Sequence, residues 1–82
     1  MLNNKIPTLD LHGEVSPMVD LLVKDFILEN YISGHKKVII IHGVGTGALR
    51  KAVHQSLNNN KLVSNFKIDM FNAGSTIIEI KD

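Results

Sequence analysis

Near its start the chain carries a strictly alternating segment. In Thr8-Leu9-Asp10-Leu11-His12 the leucines face one way and the polar side chains face the other, which is the period of a β-strand. Pro7 is compatible with the first position of a strand, and Gly13 ends the pattern. The segment therefore predicts a strand over residues 7–12 with one face in contact with water.

Two segments with helical periodicity follow. Ser16 is a suitable N-cap and Pro17 a suitable first helical residue, and the apolar positions after them recur at helical spacing. Gly34 supplies the left-handed residue that ends this helix. A second helix is predicted from about Gly47 to Leu57, and the asparagines at 58–60 stop it.

Three further segments predict strands or the turn between them. The β-branched run from Lys37 to Ile41 is typical of a central strand buried on both faces. Residues 66–70 alternate between apolar and charged side chains and predict a third strand. Residues 72–75 have the composition of a turn, and residues 76–80 predict a fourth strand. The order βαβαββ indicates an α/β protein in which the first two strands pair in parallel and the last two form an antiparallel hairpin.

The composition fits one domain and excludes several classes of site. The chain has 82 residues and no cysteine, which excludes disulfides and thiolate zinc sites. The longest apolar run, Val38 to Ile41, is far too short to span a bilayer, and residues 1–5 lack the apolar core of a secretory signal. We therefore expect a cytoplasmic protein with no membrane partner, whose active site lies in surface loops.

Charge is distributed unevenly, although the net charge is only +1. Residues 30–68 contain no acidic side chain and the following basic ones: Lys36, Lys37, Arg50, Lys51, Lys61 and Lys67. One interpretation is a cationic surface that faces a polyanion such as nucleic acid. The alternative is ordinary solvated lysine and arginine, which the charge pattern alone favours.

Asp10 and His12 form the first candidate site. Their i, i+2 spacing on a strand puts the carboxylate and the imidazole on one face. A carboxylate beside a histidine can raise the pKa of the imidazole and orient its ring for acid–base chemistry, and the two side chains could also share a divalent cation. The alternative is the polar face of an amphipathic strand, which is common for an isolated Asp-x-His.

The second candidate site is the segment His42-Gly43-Val44-Gly45-Thr46-Gly47, between a buried strand and a helix. Its glycines allow the backbone to approach a ligand, and the following helix presents unpaired N–H groups and a positive dipole end, so the loop suits a phosphate. Thr46 is a predicted N-cap, and Arg50 and Lys51 add charge in the first turns of the helix. The glycine spacing fits neither the dinucleotide fingerprint nor the Walker pattern.

The two candidate sites are expected to meet. If the first two strands are parallel neighbours, both sites follow strand C-terminal ends, which is the edge at which open α/β sheets bind ligands. Asp10, His12 and His42 would then converge beside the glycine loop.

Both motifs resemble signatures of one family. Residues 9–13 match the Leu-Asp-Leu-His-Gly signature of Smr (small MutS-related) domains, and residues 42–50 match their His-Gly-x-Gly-Thr-Gly-x-Leu-Arg signature. The predicted element order agrees, so the resemblance indicates an Smr domain over residues 6–81 after a flexible leader at residues 1–5. It implies a two-layer α/β sandwich with a four-stranded mixed sheet and two helices, similar to the C-terminal domain of bacterial translation initiation factor three.

The resemblance also implies functions. Members of the family are linked to DNA nicking or RNA cleavage, as stand-alone domains or as tails of MutS-type paralogues. Catalytic or metal-handling roles are implied for Asp10 and His12. Substrate or catalytic roles are implied for a set within the second signature: His42, Gly43, Gly45, Thr46 and Arg50. Many such tails carry a longer glycine-rich loop before the last strand, where this chain has only residues 72–75.

The first hypothesis is a phosphodiester endonuclease that acts on DNA or RNA. Asp10, His12 and His42 would supply the acid–base chemistry. Mg²⁺ or Mn²⁺ bound by Asp10 and His12 is one route and a metal-free reaction is the other, with no further cofactor. The predicted phosphate-binding set is Gly43, Gly45, Thr46, Gly47, Arg50 and Lys51.

Two other hypotheses need no catalysis. One is a nucleic-acid-binding module that recognises the phosphates and the shape of the nucleic acid more than its base sequence. Most of the aromatic side chains are expected in the core, so base stacking on an aromatic platform is not expected. The other is a protein-interaction module, which like the first would be fused to or associated with a larger DNA-repair or ribosome-rescue protein, with its oligomeric state left open. It would use an exposed apolar helix face, with Val23, Ile27 and Leu28 as candidate contacts.

Overall fold

The computed structural model describes residues 5–82, so residues 1–4 of the predicted leader lie outside the described part. The elements are β1 (Thr8–Asp10), α1 (Ser16–Ile32), β2 (Lys37–Ile41), α2 (Ala48–Asn58), β3 (Val63–Asp69) and β4 (Asn72–Ile80). The predicted order βαβαββ is confirmed. Within residues 5–82, neither helix has the length and apolar character needed to cross a bilayer.

The strands form one mixed sheet in the order β1-β2-β4-β3. β1 pairs in parallel with β2, with Asp10 opposite Ile41, and β4 pairs antiparallel with both β2 and β3. The predicted parallel pair and the predicted antiparallel hairpin are both present. Because β4 runs antiparallel to β2, its first residues lie at the same edge as the ends of β1 and β2. We call this edge the C-terminal edge of the sheet.

The apolar core lies between one face of the sheet and the two helices. In β2, Val38 and Ile40 are fully buried, whereas Ile39 and Ile41 are half-buried. The prediction that this strand is buried on both faces is therefore wrong, because the helices cover only one of them. The buried apolar side chains are Leu11, Val19, Val23, Ile27, Val38, Ile40, Val53, Leu57, Ile78 and Ile80.

The two helices begin one residue away from their predicted starts. α1 begins at Ser16, so Val15 and not Ser16 is its N-cap residue. α2 begins at Ala48, with Gly47 as its N-cap at φ 88°. Thr46 is therefore not the N-cap, although its hydroxyl accepts a hydrogen bond from the Ala48 N–H at 3.3 Å. Shifts of this size are ordinary, because the flanking residue shares the hydrogen bonds of the first turn.

The β3–β4 turn lies earlier than the sequence indicated. It consists of Met70 and Phe71, and the predicted turn at residues 72–75 belongs to β4. The reason is tertiary: Ser75 pairs with Ile41, and the carbonyl of the residue before it accepts hydrogen bonds from the loop after β2. Pairing with β2 thus overrides the turn composition of this segment. β1 is also shorter than predicted. It covers residues 8–10 rather than 7–12, and residues 8–10 are the ones that pair with β2.

The one-sided core can be tested within a single strand. Ile40→Val should lower the free energy of unfolding by about 0.5–1.5 kcal/mol, the usual cost of removing a methyl group from a packed core. Ile39→Val removes the same group from the half-buried face and should cost markedly less. Denaturant unfolding followed by circular dichroism measures both changes. Equal losses would contradict a core that lies on one face of the sheet.

Candidate functional site

Asp10 and His12 form a hydrogen-bonded pair at the C-terminal edge of the sheet. Oδ1 of Asp10 accepts hydrogen bonds from the His12 ring Nδ1, at 2.5 Å, and from the His12 backbone N–H, at 3.1 Å. The His12 side chain is 74% exposed and that of Asp10 is 50% exposed. Hydrogen bonding to the carboxylate raises the pKa of His12, and the same bond lowers the pKa of Asp10.

This pairing sets the orientation of the imidazole. Since Nδ1 donates to a carboxylate, neutral His12 carries its proton on Nδ1 and presents the Nε2 lone pair to solvent. In hydrolytic enzymes a carboxylate in this position holds a general base in the required tautomer and stabilises the ring once it is protonated. The pair can therefore take up or release a proton at Nε2.

The glycine loop, residues 42–47, carries the chain from β2 into α2. Gly43, Gly45 and Gly47 have positive φ angles of 80°, 23° and 88°. A side chain at Gly47 is disfavoured twice, because it would require the left-handed region and its Cβ would lie 3.3 Å from Nη2 of Arg50. The Arg50 guanidinium thus folds back over the start of α2, where the first N–H groups of the helix lie.

Two surface hollows meet at Arg50. The loop hollow, about 250 Å³, is lined by the glycine loop, Glu14 and Arg50. The α2 groove, about 680 Å³ and open, is lined by Arg50 together with Lys51 and His54. A water molecule takes about 30 Å³ in the liquid, so the loop hollow has room for a phosphate-sized anion with water. Of the two predicted cationic phosphate ligands, Arg50 lines both hollows, whereas Lys51 lines the groove and not the loop hollow.

Glu14 connects the two sequence motifs. It follows Gly13 in the β1–α1 loop and lines the loop hollow, so the segment after the Asp10–His12 pair lies against the glycine loop. Its exposed carboxylate adds a negative charge that Arg50 must outweigh for an anion to bind. Sequence reasoning missed Glu14, because nothing in its spacing relates it to the glycine loop.

Gly74 holds the glycine loop from the β4 side. Its carbonyl accepts hydrogen bonds from the N–H groups of His42 and Gly43, each at 2.9 Å. A Cβ on Gly74 would lie 3.2 Å from Cα of Gly43, so a larger residue would push the loop away. The Asn72 side-chain oxygen accepts the Gly74 N–H at 3.0 Å. A segment with the composition of a turn therefore forms the wall that supports the loop.

His42 points into the protein and not towards the Asp10–His12 pair. Its side chain is 4% exposed and lies on the helix-covered side of the sheet, as Ile40 does. Asp10 is opposite Ile41 and so lies on the other side. The structure thus places the three predicted catalytic residues at one edge, brings Asp10 and His12 into contact, and separates His42 from them.

A chain of hydrogen bonds connects His42 to α2. In the arrangement that satisfies every group, Nδ1 donates to the Gly43 carbonyl, at 2.9 Å, and Nε2 accepts from the Thr76 hydroxyl, at 2.8 Å. The same hydroxyl oxygen accepts from Nε2 of His54, at 2.7 Å. The His54 ring packs edge-on against His42, with centroids 5.9 Å apart, and against Phe66, at 5.0 Å. Both nitrogens of His42 are therefore used within the protein.

Thr76 and His54 are functional candidates that sequence reasoning missed. Thr76 has the pattern of a strand residue and His54 that of a position on an amphipathic helix, and only tertiary packing brings them to His42. Burial lowers the pKa of His54, and the neighbouring His42 and Arg50 act in the same direction. The lowered pKa favours neutral His54 at neutral pH, and the neutral ring with its proton on Nε2 can make the hydrogen bond to Thr76.

The predicted metal ligands do not make a complete site. Residues 5–82 contain no group of three or more His, Cys, Asp or Glu side chains placed to hold a metal ion. Asp10 and His12 supply one carboxylate and one imidazole, and these are hydrogen-bonded to each other. Mg²⁺ prefers octahedral oxygen ligands, so the pair by itself does not fit that ion.

Sequence comparison decides the family. The Smr domain family matches residues 9–81. The chain belongs to the Smr domain family. It is 38% identical over 76 residues to Endonuclease MutS2 of Halothermothrix orenii and 40% identical over 78 residues to Endonuclease MutS2 of Ligilactobacillus salivarius. The alignments cover 93% and 92% of this chain but 10% of each relative, so the chain spans about a tenth of the length of the curated relatives it matches.

Solved Smr structures confirm the expected fold. The crystal structure of the Smr domain of Thermus thermophilus MutS2 matches with a TM-score of 0.89 at 28% identity, covering 94% of this chain and 100% of that chain. YdaL, a stand-alone small MutS-related protein from Escherichia coli, matches with a TM-score of 0.87 at 21% identity, covering 96% and 70%, and supports the fold alone. The Smr domain here is thus the predicted two-layer sandwich with a four-stranded mixed sheet.

The opposite environments of His54 and His12 predict opposite effects of pH on stability. As pH falls below about 6.5, the usual histidine value, the unfolded chain binds a proton at position 54 before the folded Smr domain does, so this group makes the fold less stable in acid. Between pH 7.5 and 5.5, His54→Gln should therefore lose less stability than wild type. Only the pH unit between 6.5 and 5.5 contributes, so the difference cannot exceed about 1.4 kcal/mol, and it should be smaller because solvent reaches the partly buried ring and screens its neighbours. Denaturant unfolding at the two pH values measures the difference.

His12→Gln is the control for the sign. The raised pKa of His12 stabilises the fold below about 6.5, and this stabilisation is lost as pH rises through the folded-state pKa. Its removal should make the loss of stability in acid larger than in wild type. A His54→Gln variant that loses as much stability as wild type would contradict the buried environment described for this ring.

Proposed function

We propose that this Smr domain binds nucleic acid and cleaves a phosphodiester bond at the C-terminal edge of its sheet. The proposal rests mainly on the Asp10–His12 pair, which presents Nε2 to solvent beside a glycine loop that leads into α2 under Arg50. The MutS2 relatives, which are named endonucleases, support the same class of activity. DNA and RNA are both substrates to be tested.

Substrate binding is assigned to the loop hollow and the α2 groove. One backbone phosphate would lie in the loop hollow, where the first N–H groups of α2 and the Arg50 guanidinium can donate hydrogen bonds to it. Lys51, in the groove, would contact a neighbouring phosphate. Because Glu14 opposes anion binding in the hollow, affinity should depend strongly on Arg50. Such binding weakens as salt rises, since phosphate contacts release counterions.

In the reaction, neutral His12 takes a proton at Nε2 from the attacking hydroxyl, which is water on DNA or the ribose 2′-hydroxyl on RNA. A new P–O bond forms while the bond to the leaving oxygen breaks, and the leaving oxygen takes a proton from water. Asp10 stabilises the charged imidazole, and Arg50 stabilises the negative charge on the phosphoryl oxygens. His42 acts as a positioning residue, because both of its ring nitrogens hold the protein together.

A divalent ion is a separate route. If Mn²⁺ or Mg²⁺ takes part, Asp10 and His12 are the ligands that this edge offers, and phosphate oxygens and water would complete the coordination. The ion would supply Lewis-acid activation. Cleavage in EDTA, compared with cleavage in Mg²⁺ or Mn²⁺, separates the two routes.

The proposal predicts that binding and cleavage depend on different residues. Arg50→Ala should weaken the binding of end-labelled DNA or RNA about tenfold, which is about 1.4 kcal/mol, because a charge-assisted phosphate contact is lost. His12→Ala should bind normally and cleave about 10²–10⁴-fold more slowly, the usual contribution of a general base. Fluorescence anisotropy measures affinity and gel electrophoresis measures cleavage, with single- and double-stranded forms of both polymers.

Matched controls exist within the chain. Lys61→Ala removes an exposed charge from the α2–β3 turn, and His35→Ala removes an exposed histidine from the α1–β2 turn. Neither change should affect binding or cleavage. Wild-type binding without cleavage, under all metal conditions, would refute the catalytic part of the proposal. His12→Ala cleaving at the wild-type rate would refute the assignment of the general base.

The second candidate function, protein interaction, is favoured by an apolar stripe on α1. Of the predicted contacts, Val23 and Ile27 are fully buried and only Leu28 is exposed. The exposed side chains at helical spacing on one face of α1 are Met18 (43%), Leu21 (54%), Leu28 (49%) and Ile32 (73%). Since the relatives are about ten times as long, the occupant suited to this stripe is another domain of a larger protein.

The double variant Leu21→Glu, Ile32→Glu separates the two functions. If nucleic acid binds at the C-terminal edge, this variant should keep the wild-type affinity and salt dependence, because the stripe lies on α1 and away from both hollows. Anisotropy titrations at two salt concentrations measure both quantities. If protein interaction is the whole function, wild type should show no salt-dependent affinity for any of the four nucleic acids.

A further inference from the structure

Met70 and Phe71 form an exposed apolar tip between β3 and β4. Phe71 is 92% exposed and Met70 is 85% exposed, more than any other large apolar side chain among residues 5–82. Tight turns ordinarily use Gly, Asn, Asp, Ser or Pro, so two large apolar residues here are unusual. Most of the aromatic side chains are expected in the core, and Phe71 is an exception, so one aromatic side chain is exposed and available for contact with a ligand.

The tip is held on a fixed backbone. The Asp69 carboxylate accepts a hydrogen bond from the Phe71 N–H at 2.9 Å, and Asp69 pairs with Asn72 across the turn. Neither Met70 nor Phe71 has a positive φ angle. An aromatic side chain on such a turn can make contacts with little loss of conformational entropy, because only its own two torsions remain to be fixed.

The tip projects from the same edge as the glycine loop. The start of β4 lies beside the end of β2, and the Gly74 carbonyl accepts hydrogen bonds from His42 and Gly43. Phe71 is three residues before Gly74, so the extended backbone places it within about 10 Å of the loop. A strand whose phosphate lies in the loop hollow would pass within reach of this side chain.

We infer that Phe71 stacks on an unpaired base of the nucleic acid whose phosphate is bound by the glycine loop. The inference rests on the proposed function and names its substrate class, which is single-stranded nucleic acid or a duplex with an unstacked or unpaired base. A paired base inside an intact helix does not offer its face to a side chain. Stacking is sequence-tolerant, because every base has a π-face.

The size and charge of the tip favour a base over other occupants. A buried aromatic side chain covers about 150–250 Å². A protein interface takes about 800 Å² from each partner, so the tip is too small for one. The Asp69 carboxylate next to the tip would repel a nucleic-acid phosphate as well as an anionic lipid surface, so the tip suits an uncharged base and not the backbone that carries it.

The test compares Phe71→Ala and Phe71→Tyr with wild type in binding three probes. These are a single-stranded oligonucleotide, the matching blunt duplex, and a single strand of the same length made of abasic sites. Phe71→Ala should weaken binding to the single strand about tenfold, change binding to the duplex and the abasic strand less than twofold, and leave the melting temperature unchanged. Phe71→Tyr keeps an aromatic ring and should restore binding. Phe71→Trp introduces the one tryptophan of the chain, and its fluorescence should be quenched by the single strand but not by the abasic strand.

The failures of the two proposals are distinguishable. If wild type binds the single strand in a salt-dependent way and Phe71→Ala binds it equally well, stacking is refuted and the proposed function stands. Equal weakening on all three probes would also refute stacking, because the tip would then contact the sugar–phosphate backbone, which all three probes share. If wild type binds none of the probes, the proposed function fails and this inference fails with it. Phe71-dependent binding to anionic vesicles, without binding to the single strand, would overturn the choice of ligand.

Discussion

The carbonyl of Gly74 is the group on which the candidate site depends. It accepts the N–H groups of two successive residues, His42 and Gly43, and so joins the start of β4 to the loop after β2. A glycine-rich loop left to itself samples many conformations, and a ligand would have to order it on binding. Here the sheet orders the loop when the domain folds. The close approach is possible because Gly74 carries no side chain, since a Cβ there would lie 3.2 Å from Cα of Gly43.

The same loop is held from inside by His42, whose Nδ1 donates to the Gly43 carbonyl. This explains how two histidines in similar positions, each just after a strand, take different roles. His12 is exposed beside a carboxylate, which raises its pKa and leaves Nε2 available to solvent. His42 is buried, and Thr76 and the loop use both of its nitrogens. One ring is therefore suited to proton transfer and the other to holding backbone.

The sequence was sufficient for the element order, the parallel pairing of β1 with β2 and the Asp10–His12 contact, because each depends on local periodicity or on a two-residue spacing. It failed where tertiary contacts decide. Residues 72–75 have turn chemistry, but pairing with β2 draws them into β4 and moves the turn to Met70 and Phe71. The role of Thr76 depends on His54, which lies 22 residues away along the chain. No local pattern indicates that these two residues are in contact. Because all of β2 has the pattern of a strand buried on both faces, the sequence also does not show that the side of Ile40 and His42 is the one the helices cover.

The strand order β1-β2-β4-β3 arranges the candidate groups in a line. The Asp10–His12 pair follows β1, the glycine loop follows β2, and the Met70–Phe71 tip precedes β4. Neighbouring strands are about 4.8 Å apart, so β1 and β4 are separated by about 10 Å at this edge. The proposed proton acceptor, the proposed anion-binding loop and the exposed aromatic side chain therefore follow one another along this edge, as the phosphates and bases of a polymer would require. A small phosphorylated ligand would occupy the loop hollow alone and would give no reason for an aromatic tip beside it.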